Sequence, residues 1–286
     1  MSVWAIVVGA LALVVLLLAR RMPEGVARWV LPTATGLVAV SLWQLWCDWK
    51  SYDLTGGDGK VRRIQVFPGP LDTLAGMAKL ASDGQMLRHS VASLYRVAAG
   101  FGLACLVGVP LGLWAGWSTR AMQALNPLVQ ALRPISPIAW IPVAILWFGI
   151  KDASAIFLIF VASIFPVVTG TMTAVRAIPQ VYVRSARNFG VRGFELFRRV
   201  VFPAALPQIL TSLRIALGIA WMVIVAAEMI AVDQGLGYQI MDARNANNYD
   251  LVTASMVFIG LIGIGLDAAL RRFERLDEVR WGYSKQ

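Results

Sequence analysis

Charged residues are scarce in this sequence. They make up 15% of its 286 residues, whereas apolar residues make up 58%. A soluble domain of this length needs more polar side chains to cover its surface. The composition therefore excludes an ordinary soluble domain and indicates a protein that lies largely within a membrane.

Histidine and cysteine are nearly absent. The chain has one histidine, His89, and two cysteines, Cys47 and Cys105, which both fall in apolar stretches. One histidine cannot build a metal site or a catalytic triad, so we expect a structural role for it near the membrane interface. The cysteines are interpreted as buried free thiols, because no disulfide framework is visible.

Motifs for catalysis are missing as well. The chain has no phosphate-binding loop of the G-x-x-x-x-G-K-[ST] type, no nucleophile elbow and no H-E-x-x-H pattern. The sequence therefore predicts no catalytic residues, no metal and no cofactor bound by this chain.

Long hydrophobic runs, by contrast, are abundant. A bilayer core of roughly 30 Å requires about 20 apolar residues in a helix. Seven segments approach that length, one of them interrupted by prolines: Val3–Ala19, Trp29–Cys47, Val91–Leu113, Leu125–Ile150, Ala153–Ala174, Ile209–Ala231 and Leu251–Leu270. The sequence predicts an all-α polytopic membrane protein with about seven transmembrane helices.

The formal charge of +10 is concentrated in alternate loops. Sixteen of the 26 basic residues, but only five of the 16 acidic ones, lie in four segments: Arg20–Arg28, Trp117–Arg133, Arg176–Pro203 and Arg271–Gln286. The positive-inside rule places these segments in the cytoplasm, the N-terminus outside and the C-terminus inside. Topology thus accounts for the charge, and no nucleic-acid binding is predicted.

The same pattern divides the chain into four regions. They are an N-terminal two-helix hairpin (1–47), an external loop with an amphipathic helix (48–87), a five-helix core (88–270) and a cytoplasmic tail (271–286). The basic pair Arg20-Arg21 follows the first apolar run, so we expect an uncleaved helix and not a signal peptide. The amphipathic helix is expected to lie along the outer interface or to pack on the bundle. Within the core, five glycines predict close helix contacts: Gly100, Gly102, Gly108, Gly112 and Gly116.

The most informative polar segment is the 176–203 loop. Pro179 can open a short helix there, and Gly190 can close it with a left-handed cap. Between them lie two aromatic and two basic side chains: Tyr182, Phe189, Arg184 and Arg187. Such a helix fits the groove of a partner protein, although a surface helix that binds nothing has the same pattern.

This loop resembles the coupling loop of ABC importer permeases. The family pattern is Glu-Ala-Ala, three residues, Gly, nine residues, Ile, any residue, Leu-Pro; the matching positions are Arg184, Ser185, Ala186, Gly190, Val200, Phe202 and Pro203. Arg184 stands where the family pattern has glutamate. Four further stretches resemble the nitrate, sulfonate, taurine and bicarbonate branch of type I permeases: 132–142, 147–150, 226–230 and 235–238. The resemblance covers roughly residues 68–270.

The resemblance implies a homodimeric permease in a bacterial cytoplasmic (inner) membrane. Two ATP-binding cassette subunits would bind the ATP, and a periplasmic or lipid-anchored substrate-binding protein would deliver the cargo. The implied cargo is a small anion, nitrate or a sulfonate such as taurine, imported by ATP-driven alternating access. The implied contacts with the ATPase are Tyr182, Arg184, Ser185, Ala186, Arg187, Phe189, Gly190 and Pro203.

Five residues are candidates for the translocation path. Pro134, Pro137 and Pro142 interrupt one apolar segment, and backbone groups freed at membrane depth often line a substrate path, although a packed kink is the alternative. Arg96 is a candidate for attracting an anion. Glu228 is the only acid in its apolar run; a carboxylate would repel an anionic cargo, so we expect a structural or gate-pairing role.

Two other functions stay open from the residues alone. A secondary transporter driven by an ion gradient would need acids within the membrane or a buried acid–base pair. The acids that the sequence offers for this role, Glu228 and Asp267, lie near the ends of their spans, which disfavours this function. An intramembrane enzyme would need a catalytic cluster, which is not visible. The importer permease is the preferred prediction.

Overall fold

The computed structural model describes residues 3–18, 23–50, 52–55, 61–64, 67–82 and 84–274. Within them the chain is mostly helical, which confirms the predicted fold class. The elements in order are α1 (Val3–Leu18), α2 (Glu24–Lys50), β1 (Tyr52–Thr55), β2 (Val61–Ile64), α3 (Pro70–Ser82), α4 (Gln85–Trp117), α5 (Thr119–Leu132), α6 (Ile141–Phe148), α7 (Asp152–Arg176), α8 (Gln180–Asn188), α9 (Gly193–Leu196), α10 (Phe202–Ala231), α11 (Leu236–Asn245) and α12 (Tyr249–Glu274).

The described chain forms two compact units, Met1–Asp83 with Ala243–Ser255, and Gly84–Asp242 with Met256–Gln286. In the first unit, α1 and α2 form a hairpin. A Cβ added at Gly9 would lie 3.0 Å from the Cβ of Ser41, so the two helices approach closely. After α2, strands β1 and β2 pair in antiparallel fashion, with Tyr52 opposite Ile64. The segment predicted as a loop from residue 48 onward therefore contains the end of α2 and a short hairpin.

Helix α3 packs against the first turns of α12. The Thr73 hydroxyl lies 3.0 Å from the Thr253 hydroxyl, and a Cβ added at Gly76 would lie 2.6 Å from the carbonyl oxygen of Asp250. Leu71 and Leu74 are exposed on another face of the same helix. The amphipathic helix therefore has a packed face and a separate apolar face that is free to meet lipid.

In the second unit, α4 packs along α7 through a row of small residues. Four of the five predicted contact glycines, Gly100, Gly108, Gly112 and Gly116, face α7. A Cβ added at Gly112 would lie 2.6 Å from the Cβ of Thr171. Gly102 has nothing within 4 Å of an added Cβ, so the prediction is wrong at that position.

Helices α5 and α6 form a bent pair. Helix α5 meets the segment Pro137–Phe148, a 3-10 turn (Pro137–Trp140) followed by α6, at an angle of 85° across a break that contains Pro134. The Ser118 hydroxyl caps α5 by accepting a hydrogen bond from the Ala121 N–H at 3.4 Å. The 3-10 turn and α6 each have a proline in their first turn, where its missing N–H leaves no helical bond unmade.

Five helical segments in the described residues are long and apolar enough to cross a membrane: Gly25–Trp49, Gln85–Trp117, Asp152–Arg176, Gly193–Ala231 and Tyr249–Arg272. The bent pair would make a sixth, and Ala5–Val15 is a shorter apolar helix. The count of seven spans and the orientation of the termini stay predictions.

Candidate functional site

The 176–203 loop contains a short helix with a well-defined end. At the end of α8, the Gly190 N–H donates to the Arg187 carbonyl at 3.0 Å, and the Val191 N–H donates to the Ala186 carbonyl at 3.1 Å. These two bonds form a Schellman motif, which satisfies carbonyl groups that the helix leaves unpaired. Gly190 has a φ of 83°, a left-handed conformation that a glycine adopts without steric cost.

The loop is anchored by apolar side chains. Val183 of α8 and Leu196 of α9 are buried in a cluster with Ile178 and with Val201, which directly precedes the next long helix. Residues Phe197–Val201 form a π-helical turn that leads into α10, and Pro203 lies in the first turn of α10. The loop therefore has a packed underside and a fixed position on the unit that contains it.

Its other face is exposed. The predicted contact residues Tyr182, Arg184, Arg187 and Phe189 are all exposed, and the Phe189 side chain is 88% exposed. Phe194, which the sequence did not single out, is 77% exposed. An apolar surface held rigidly in the open, with arginines beside it, is typical of a protein-binding site.

The structure brings Arg96 and Glu228 together. The Arg96 Nη1 lies 2.7 Å from the Glu228 Oε1, and the two side chains are 3% and 0% exposed. Arg96 also contacts Asp152, with Nη2 at 2.6 Å from Oδ1. These three residues are called the charge cluster. Arg96 is thus paired with two carboxylates, and Glu228 is paired with Arg96. A structural or gate-pairing role for Glu228 stays a prediction.

Further polar groups complete the surroundings of Glu228. The Ser93 hydroxyl lies 2.8 Å from both carboxylate oxygens, and the Gly237 N–H donates to Oε2 at 3.0 Å. A buried carboxylate requires several such donors, because burial removes the water that would otherwise solvate it. Both oxygens of the Glu228 carboxylate therefore have hydrogen-bond donors.

The turn between α10 and α11 closes over the charge cluster. The Gln234 carbonyl accepts from Arg96 at 2.6 Å, and the Gly235 N–H donates to the His89 Nδ1 at 3.0 Å. Gly235 has a φ of 122°, and a Cβ there would clash with the Glu228 carboxylate. Only glycine fits this position.

The sequence did not reveal Ser93 and Asp152 as parts of this site. It also did not reveal the hydrogen bond from the Gly235 N–H to His89. The sequence did offer one signal, since Glu228 and the Gly235-Leu236-Gly237-Tyr238 stretch both belong to the segments that carry the family resemblance. The separation of Arg96 and Glu228 along the chain concealed their pairing.

The predicted proline residues lie at the bend between α5 and α6. Pro137 borders a cavity between this bend, α7 and α10, with a volume of about 520 Å³. Pro134 and Pro142, like the charge cluster, are not among the described residues that line it. In the described part of the chain, no group of His, Cys, Asp and Glu side chains is arranged to hold a metal ion.

A solved structure of the MetNI methionine ABC transporter in an inward-facing conformation has a similar fold. It aligns with a TM-score of 0.58 at 18% identity, over 64% of this chain and 92% of that one.

The comparisons of sequence are more specific. Residues 108–276 match the family described as binding-protein-dependent transport system inner membrane component. A putative ABC transporter permease protein of Methanocaldococcus jannaschii is 41% identical over 74% of this chain and 77% of its own length. The nitrate import permease protein NrtB of Leptolyngbya laminosa is 36% identical over 83% and 84%. The taurine transport system permease protein TauC of Escherichia coli is 35% identical over 73% and 78%. The chain therefore belongs to the family of binding-protein-dependent ABC importer permeases, in the branch that contains nitrate and taurine permeases.

Proposed function

We propose that this chain is the membrane-spanning subunit of an ATP-driven importer for a small anion in a bacterial inner membrane. Two copies would form the channel, and each 176–203 loop would contact one ATP-binding cassette subunit on the cytoplasmic side. A substrate-binding protein, periplasmic or lipid-anchored, would deliver the cargo to the outer side. ATP would be bound by the ATPase subunits and not by this chain.

The exposed apolar face of the 176–203 loop carries this proposal. Val183 and Leu196 fix the loop from below, while Phe189 and Phe194 are presented to the surroundings. Large apolar side chains held in the open gain free energy when a partner covers them. Arg184 and Arg187 flank this surface and can pair with acidic groups on a partner.

In the cycle that we propose, the contact between each loop and its ATPase subunit controls the side of the membrane to which the transport path is open. ATP binding would close the two ATPase subunits, draw the two loops together and open the path to the outside. ATP hydrolysis would return the transporter to its starting state. Transport is then a driven shift between the populations of two access states. Among the candidate path residues, the bend at Pro134, Pro137 and Pro142 would line the path.

Arg96 and Glu228 are assigned a gate-pairing role near the outer end of the path. Their ion pair holds the turn between α10 and α11 against α4, through the bonds of Arg96 to Gln234 and of Ser93 to Leu236. Because two carboxylates offset the charge of Arg96, we no longer assign it the attraction of the anion.

The proposed cargo follows from the relatives named above, one of which imports nitrate and another taurine. The test is reconstitution of the purified permease with its ATPase subunits and binding protein in liposomes. We expect nitrate or taurine to stimulate ATP hydrolysis only when the binding protein is present. If neither anion stimulates hydrolysis or enters the liposomes, the proposed cargo is wrong.

The alternative that the sequence left open is a secondary transporter, and membership of the ABC importer permease family argues against it, although the core contains a buried Arg96–Glu228 pair. Such a pair can couple transport to a proton or ion gradient. The two functions differ in what drives uptake. A secondary transporter would continue without ATP and stop when a protonophore or ionophore collapses the gradient, whereas the importer would do the opposite. ATPase subunits that co-purify with the permease would support the importer.

A further inference from the structure

The cavity beside the bend of α5 and α6 is divided into an apolar and a polar end. At its apolar end, α7 and α10 contribute Val161, Phe165 and Ile219, and at its polar end they contribute Thr169, Thr173, Gln208 and Ser212. Arg133 at the bend also lines the cavity. From Val161 to Thr173, α7 rises about 18 Å, so the cavity extends along a large part of the bilayer thickness.

The floor of the cavity is formed where α7 crosses α10. A Cβ added at Gly170 would clash with the Ser212 side chain, so the backbones meet as closely as a glycine permits. The Ser212 hydroxyl donates to the Gln208 carbonyl at 2.9 Å, and the Thr169 hydroxyl donates to the Phe165 carbonyl at 2.8 Å. The hydrogens of these two hydroxyls are therefore used within their own helices.

Three other hydrogen-bond donors that line the cavity are available. In the part of the chain that the structure describes, no protein group pairs with the side chains of Arg133, Thr173 or Gln208, and all three are exposed. Arg133 is the only charged residue among the described residues that line the cavity. None of the described residues that line the cavity is a carboxylate that could offset this charge, in contrast to the surroundings of Arg96.

We propose that this cavity is an anion-holding site of the permease itself, with Arg133 as the residue that attracts the cargo. The guanidinium group can bind two oxygens of a planar or tetrahedral oxyanion at once, and Gln208 and Thr173 can donate further hydrogen bonds. The site rests on the proposed import of a small anion, and it adds the residue that supplies the positive field. A few donors at an open site hold the anion weakly, which permits its release.

The field of Arg133 can be measured without any cargo. The variant Thr173→Cys places a thiol at the polar end, in a chain whose Cys47 and Cys105 are replaced by alanine. We expect an anionic methanethiosulfonate reagent to react faster, relative to a cationic one, than it does after Arg133→Gln. The ratio of the two rates should change by about tenfold. Arg120→Gln is the matched control, because Arg120 is an exposed arginine of α5 that does not line the cavity.

Uptake gives the second measurement, in liposomes that contain the complete transporter. Arg133→Gln should lower nitrate or taurine uptake by about tenfold, with ATPase subunits still bound, and Arg133→Lys should restore part of it. An unchanged thiol ratio, or equal changes in the Arg133 and Arg120 variants, would overturn the site. If wild-type protein imports neither anion, the proposed cargo fails, and the thiol ratio alone then decides whether the cavity favours anions.

Discussion

Arg96 and Glu228 show how two charges can be buried in an apolar protein. Either side chain alone would require a large free energy to leave water, but each offsets most of the charge of the other at 2.7 Å. Ser93 and the Gly237 N–H satisfy the oxygens that Arg96 does not. Removing one partner should therefore cost much more than replacing both.

Arg96→Gln should destabilise the purified permease by about 3–5 kcal/mol, because it leaves Glu228 buried without its counterion. The double variant Arg96→Gln with Glu228→Gln should recover much of that loss, and thermal unfolding in detergent measures both. Uptake should fall in the single variant while the preference between nitrate and taurine is unchanged, since the binding protein selects the cargo. A changed preference in competition uptake would contradict this division of roles.

Gly190 permits a test of the 176–203 loop at a single position. Its φ of 83° is unfavourable for a β-branched residue by on the order of 1–2 kcal/mol, yet nothing lies within 4 Å of an added Cβ. Gly190→Val should therefore change the loop and leave the rest of the permease folded and inserted.

We expect Gly190→Val to abolish most transport and to weaken binding of the ATPase subunits, as measured by co-purification. Gly190→Asn is the matched control, because asparagine tolerates the left-handed conformation, and it should retain most of both. Wild-type transport and ATPase binding in the valine variant would show that the loop does not couple the two subunits.

Helix α4 illustrates which contacts a sequence can predict. Gly100, Gly108, Gly112 and Gly116 repeat at intervals of four or eight residues, so they lie along one i,i+4 row of the helix surface, and this row lies against α7. Gly102 is two residues from Gly100 and lies off that row. Spacing thus predicts which residues act together, whereas glycine content alone does not.

Two valine variants compare these faces directly. Gly112→Val adds a branched side chain where a Cβ would already lie 2.6 Å from the Thr171 Cβ, and the two backbones cannot separate without losing other contacts. It should destabilise the purified permease by more than about 2 kcal/mol. Gly102→Val, which meets no neighbour, should change the melting temperature much less. Equal effects would mean that the α4–α7 contact is not what the glycines provide.

Local residues are sufficient to predict some elements and not others. The Schellman motif at the end of α8 follows from local residues, and Pro179 and Gly190 bound that helix closely, as predicted. The charge cluster depends on Arg96, Asp152 and Glu228, which only tertiary folding brings together. The strand pair after α2 was not predicted, because its two short strands contain polar residues and flank a glycine-rich stretch of sequence, which also suits a loop.

Helix α7 connects the charge cluster to the 176–203 loop, and its length sets the distance between these two sites. This helix begins at Asp152, which contacts Arg96, and ends at Arg176, where the loop starts. Its 25 residues extend about 37 Å, which exceeds a hydrocarbon thickness of roughly 30 Å. If α7 spans the membrane along its length, as its length and composition predict, the two sites lie near opposite faces of it, and the basic loop is expected on the cytoplasmic face.

Cysteine labelling in intact cells tests this orientation. In a chain without Cys47 and Cys105, Arg187→Cys on α8 should react with a membrane-impermeant thiol reagent only after the membrane is opened. Ala246→Cys, in the turn after α11, should react in intact cells; Asn247 is less suitable because its φ of 57° would strain a cysteine. The same topology predicts an external position for Gly57 and an internal one for Ser284, which lie outside the described residues. Labelling of Arg187→Cys from outside would contradict the predicted topology and, with it, any contact between the 176–203 loop and a cytoplasmic ATPase.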